Sequence, residues 1–216
     1  MNPDTSPDND DKIISFDGGD EGVELARAEL YGLLAGLWLA APDRHAMERF
    51  AVAVTEAPEP GSFLEAPWQA VVASMRSTSV DAAAAEYDAL FMGVGRPDVM
   101  LFGSFYLAGF LNETPLVLLR TDLIGLRLGR DQGRYETEDH IAHEFEVMRY
   151  LIAGDDLAIC NLEQQRRFFR THIQPWVHKL CEAVTAHPRA ALYLRVAELT
   201  DAFMQIETQG FDMLEG

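Results

Sequence analysis

Lysine is nearly missing from this chain: Lys12 and Lys179 are the only two among 216 residues, and arginine supplies the rest of the 17 bases. They face 35 acids, for a formal net charge of -18 at pH 7. So small a basic complement argues against nucleic acid as a partner, because binding phosphates takes a basic face. It favours a cationic partner and the capture of a basic peptide by long-range steering, although solubility or a salty cytoplasm accounts for the same excess. Cysteine is scarce too. Cys160 and Cys181 lie far apart without CxxC spacing, which reads as two buried thiols in a reducing compartment. The longest apolar run, 31–41, is too short to span a bilayer. The first 20 residues have no basic n-region and no apolar h-region, so no secretory signal is expected there. A G-x-S-x-G elbow is absent, which argues against a Ser/His/Asp hydrolase. Gly93-Val94-Gly95 has no strand before it and no Lys-Ser/Thr after it, so it is not a phosphate loop. No convincing alternating strand and no internal repeat occurs.

What is present is helical periodicity over an apolar fraction of 48%, enough for a real core. Residues 1–20 are polar and acidic and read as a disordered tail; 21–216 read as one all-α domain. A long helix over 21–41 carries Leu30, Leu34, Leu37 and Trp38 and stops at Pro42. Further helices are expected over 44–57, 68–75 and 79–91, with Pro58-Glu59-Pro60-Gly61 as a break. Residues 98–112 read as a loop passing into a helix. Thr114-Pro115 is an N-cap and N1 pair opening the next helix. Asp155-Asp156 can cap a later one, Pro175 interrupts its pattern and starts a new helix over 176–186 that Pro188 ends, and 190–209 is the last. The total is a single-domain all-α bundle of about nine or ten helices.

The densest set of titratable groups lies at 136–151. Thr137 reads as an N-cap, with Glu138 and Asp139 in the first turn, where negative charge suits the helix dipole. Ile141, Phe145, Met148 and Ile152 form the buried stripe. Asp139, His140, His143 and Glu144 are then expected to crowd an exposed helix start. As metal ligands His140, His143 and Glu144 lack HExxH spacing, and a structural role weighs more. Tyr87, Phe91, Phe102, Phe105 and Tyr106 form an aromatic set whose loop members fall outside a clean amphipathic stripe, as a peptide groove would need. From the residues alone, a binding module is preferred over an enzyme.

Four stretches resemble the TorD/DmsD-type redox-enzyme maturation chaperones. They are Arg27–Ala35 with Pro42-Asp43; Glu86-Tyr87-Asp88-Ala89-Leu90-Phe91-Met92-Gly93 followed by Ser104-Phe105-Tyr106; Asp139-His140 with Glu144; and Gln165, Phe169, His172 and Pro175-Trp176. Val99-Met100-Leu101 and Thr137-Glu138 stand where the family has prolines. The resemblance implies a cytoplasmic, non-catalytic chaperone with no cofactor and no metal. It implies binding to the twin-arginine signal peptide and apoprotein of a molybdoenzyme of the DMSO/TMAO reductase or formate dehydrogenase type. Such a chaperone has no stable membrane insertion and is a monomer or an element-swapped dimer. Matched to the motifs, the peptide-contact candidates are Tyr87, Leu90, Phe91, Phe102, Ser104, Tyr106, Asp139, His140 and Glu144. The alternatives are a chaperone of the nitrate-reductase branch, a metal-dependent helical enzyme using His140, His143 and Glu144, and a plain helical interaction domain.

Overall fold

The computed structural model describes residues 20–52, 62–93, 95–129 and 136–214. The expected tail at 1–19, the end of the second expected helix at 53–57 and most of the loop before the central helix, 130–135, lie outside the described residues. Within them the chain is an all-α bundle, as the periodicity predicts. The helices are α1 (Asp20–Leu39), α2 (Arg44–Val52), α3 (Glu65–Ser77), α4 (Val80–Phe91), α5 (Gly103–Ala108), α6 (Thr114–Gly125), α7 (Ile141–Ala153), α8 (Leu162–Phe168), α9 (Gln174–Thr185) and α10 (Leu192–Met213). A π-helical turn, Phe169–Ile173, joins α8 to α9. No strand occurs among the described residues; an isolated antiparallel bridge pairs Phe102 with His140.

The core forms where α1 lies along α7 and where α10 packs on α9 and α3. Tyr31 meets the ring of Phe145 edge-on at 5.5 Å and that of Phe203 at 4.8 Å. Trp38, at the far end of the same α1 stripe, donates its indole N–H to Thr200 Oγ1 at 3.1 Å. Trp38, Trp176, Tyr31, Tyr193, Phe145 and Phe169 are fully buried. Each large apolar side chain so buried contributes ~1.5–3 kcal/mol. Cys160 and Cys181 are both free thiols in this interior.

Several helix starts differ from the sequence expectation. Thr137 is not the cap of α7; His140 is, because a turn over Glu138-Asp139 and the extended backbone of His140 delay the helix until Ile141. Asn161, not Asp155 or Asp156, caps α8, its side chain accepting from Gln164 N at 3.1 Å. Thr114 is already helical, and its N-cap position is taken by Glu113 without a side-chain bond. Pro175 does open a new helix, α9, with the proline in its first turn. The π turn before it closes an i to i+5 bond from Gln174 N to Phe169 O, which carries the helical backbone up to the proline.

Ion pairing ties the first described helix to the last. Arg27 on α1 grips Glu207 on α10 through two bonds, Nε to Oε1 at 2.8 Å and Nη2 to Oε2 at 2.7 Å. Tyr31 donates to the same carboxylate at 3.0 Å, and Gln165 on α8 accepts from Arg27 at 3.3 Å.

Candidate functional site

The Asp139-His140 dipeptide is buried, not exposed. Asp139 is 2% exposed, His140 3% and Glu144 2%. The expectation that they project into solvent from a helix start fails because α7 begins later and its approach segment is stitched to the segment before α5. Gly103 N donates to Asp139 O at 2.8 Å, and Ile141 N donates to Leu101 O at 2.9 Å. α5 has Phe102 at its N-cap position without a side-chain bond of its own, and Asp139 supplies one from 35 residues away. Its Oδ2 accepts from Ser104 N at 2.9 Å and also from the Ser104 hydroxyl. Its other oxygen accepts from Thr137 Oγ1 at 2.6 Å. Placing a carboxylate in the interior costs several kcal/mol unless donors surround it, and these three do.

His140 and Glu144 are used up in the same way. His140 Nδ1 accepts from Ala142 N at 3.2 Å, so the imidazole is neutral with its proton on Nε2. Burial, and then the neighbouring His143, push its pKa from 6.5 down to about 4. Glu144 Oε2 accepts from the Trp176 indole at 3.2 Å. Burial first, and the nearby Asp139 second, hold the Glu144 carboxyl well above the usual range. The Trp176 N–H also reaches His172 O at 2.6 Å. Gly103 packs so closely on this indole that a Cβ would sit 2.9 Å from its nitrogen. Tyr106 stacks on the other part of Trp176, centroids 5.5 Å apart, and donates to Met100 O at 2.9 Å.

The Tyr87-Leu90-Phe91 set serves the core. Leu90 is fully buried, and Phe91 and Tyr87 nearly so. The Tyr87 hydroxyl donates to Leu39 O at 2.8 Å and Trp38 O at 3.2 Å, taking up carbonyls at the end of α1. Of the nine motif-matched candidates seven are buried and only Phe102 and Tyr106 are half-exposed, and the structure divides the nine between two places, α4 and the α5–α7 junction. Glu86 was missed altogether. Its carboxylate accepts from the backbone N–H groups of Ala191, Leu192 and Tyr193 at 2.8, 3.0 and 2.8 Å and so caps α10 from a distance. α10 starts at Ala191-Leu192 with no capping side chain of its own, so its first N–H groups take a partner from elsewhere in the chain.

His140, His143 and Glu144 do not converge, and among the described residues no group of three or more His, Cys, Asp or Glu side chains is placed to hold a metal ion. On the other face of α7 an apolar groove of about 510 Å³ opens. Ala35, Gly36 and Leu39 of α1 form one wall, Leu123 and Leu128 a second, and Ala142, Val147 and Tyr150 of α7 the third. Glu138 and Glu146 stand among its lining residues, and so does His143. Gly36 leaves the α1 wall open, since a Cβ there would meet nothing within 4 Å. A second apolar feature is convex: Phe110 is 72% exposed between α5 and α6, near Leu107, Leu111 and Leu118 in sequence.

Over residues 58–182 the sequence matches the family model described as nitrate reductase delta subunit. That range holds the α4, α5 and α7 blocks and the His172–Trp176 block. Two curated relatives are similar, each the chaperone protein TorD of Vibrio cholerae serotype O1, from the Classical Ogawa 395 strain O395 and from strain M66-2. Each is 27% identical over 139 residues, covering 61% of this chain and 63% of the relative. The El Tor Inaba strain N16961 protein of the same name is 27% identical over 138 residues, with the same coverage.

Proposed function

The chain belongs to the nitrate reductase delta subunit family of TorD-type redox-enzyme maturation proteins, and we propose that it is a non-catalytic chaperone that binds the twin-arginine signal peptide and apo form of a molybdoenzyme. It acts in the cytoplasm, holding the client back from export until its cofactor is in place. The observation that carries this reading is the groove of about 510 Å³ between α1, α6 and α7, apolar along its walls and lined also by Glu138 and Glu146. An apolar helix or strand with a basic end is the ligand such a trough favours, because its walls reward desolvation and its acids attract the charge. The net charge of -18 extends that attraction over long range.

Ser104, Asp139, His140 and Glu144 support this function by shaping the α5–α7 junction, and the half-buried Phe102 and Tyr106 cover it. Tyr87, Leu90 and Phe91 hold α4 against the end of α1. The bonds each makes inside the bundle favour positioning over direct contact with peptide. Among the described residues no helix is long and apolar enough to cross a membrane.

Titrating the purified protein with a fluorescently labelled twin-arginine signal peptide tests the proposal. Saturable binding is expected, weaker in high salt than in low, and weaker again when both arginines become glutamine. A folded protein that shows no binding at any salt concentration sinks it.

A further inference from the structure

His143 stands out among the buried polar groups because its bonding is half complete. Its Nδ1 lies 3.0 Å from Thr137 O. A carbonyl oxygen only accepts, so Nδ1 carries the proton in that contact. In the neutral ring Nε2 is then a lone-pair acceptor. That atom is buried and has no hydrogen-bond partner. His140, three residues earlier on the same helix, has the opposite tautomer and is bonded to its own helix start. Buried polar atoms are nearly always satisfied, so an orphan acceptor on a residue that lines a groove is a candidate partner for a donor brought by a ligand.

We infer that His143 Nε2 is the polar contact of the groove, accepting a hydrogen bond from an arginine side chain of a bound peptide whose apolar residues lie against Ala35, Gly36 and Leu39. The inference rests on the reading above and adds to it the atom that recognises charge. Three observations fix the donor as cationic. Nε2 offers a lone pair, so the ligand must bring the proton. Glu138 and Glu146 line the same groove. Arg120 lies 2.8 Å from the half-buried Glu138, and Arg149 pairs at 3.0 Å with Glu146 between exposed side chains. An exposed pair like that of Glu146 holds weakly and exchanges readily for an incoming guanidinium. Arginine fits better than lysine because its planar fork can reach a ring nitrogen and a carboxylate together.

The test is a binding cycle on the full chain with two synthetic peptides, a twin-arginine signal peptide and the same peptide with both arginines replaced by norleucine. His143→Leu is expected to weaken the arginine peptide about ten-fold, the loss of one hydrogen bond to a charged group. It leaves the norleucine peptide unchanged, and His143→Gln, which keeps an acceptor, restores most of the difference. Gly36→Leu fills the groove without meeting any neighbour at Cβ, so it is expected to abolish binding of both peptides while the melting temperature holds. Phe110→Ser, on the convex patch, leaves both unchanged. Long-range proton–nitrogen spectra of the free protein should show His143 protonated on Nδ1. If the parent binds neither peptide, the chaperone reading falls and this inference with it. If the parent binds but His143→Leu and Gly36→Leu bind as it does, or if Phe110→Ser alone weakens binding, only the present inference is overturned. The reverse tautomer at His143 overturns it as well.

Discussion

The two faces of α7 treat polar groups in opposite ways. Toward α5 and α9, Asp139, His140 and Glu144 are buried and every one has a partner: Ser104 and Thr137, Ala142, and Trp176. Toward α1, His143 is bonded at one nitrogen and bare at the other. Glycine marks the same divide. Gly103 is the only residue type that fits under Trp176, whereas Gly36 has open space before it. The difference teaches that titratable residues close in sequence can do unlike work. The α5 side is a closed structural joint; on the α1 side one imidazole nitrogen is left without a hydrogen-bond partner.

Breaking the closed face should have the largest consequence. Asp139→Ala leaves the Ser104 N–H and hydroxyl and the Thr137 hydroxyl without their acceptor in the interior. A loss on the order of 3–5 kcal/mol is expected from urea unfolding, against well under 1 kcal/mol had this acid merely faced solvent near a helix start. A small loss would reopen the solvent-facing reading.

The pH dependence of the same face gives the next largest effect. His140 has its pKa depressed from 6.5 to about 4, so the folded state resists its protonation. Its stabilising contribution is complete above the unfolded value of 6.5 and is lost as pH falls toward 4. That loss is on the order of 2–3 kcal/mol. His140→Asn keeps an N-cap acceptor and removes the titration. The parent's melting temperature should therefore fall more between neutral pH and pH about 4 than that of the variant. Parallel curves would place His140 in solvent.

The smallest effect sharpens the open face and has the opposite sign. Gly36→Ala adds a methyl group that touches nothing and stiffens α1, so stability should rise by about 0.5–1 kcal/mol in thermal unfolding. A decrease would mean that α1 does not stay helical through the groove wall.

Much of the fold was legible because amphipathic period is local information. Expected helices at 79–91 and 190–209 compare with Val80–Phe91 and Leu192–Met213, and the Leu34–Trp38 stripe is buried as read. The four blocks of family likeness were legible as well. What the chain did not disclose locally was burial of polar side chains. Asp139 looks solvent-bound beside Glu138, because its partner Ser104 is 35 residues away, and Glu144 looks the same until Trp176, 32 residues on, is brought to it. Glu86 was hidden for the same reason, its three donors lying more than a hundred residues further along. The groove was illegible too, since it is a space between helices and not a property of any one of them.

The clasp between Arg27 and Glu207 sets a clock on biosynthesis. Its two halves are separated by 180 residues. At a translation speed of ~5–20 residues per second, the ribosome finishes the acceptor roughly 10–40 s after the donor. Through that interval α1 exists with Tyr31 and Trp38 lacking the Phe203 and Thr200 that cover them in the finished protein. A member of a family of maturation chaperones is thus, for part of its own synthesis, itself unfinished.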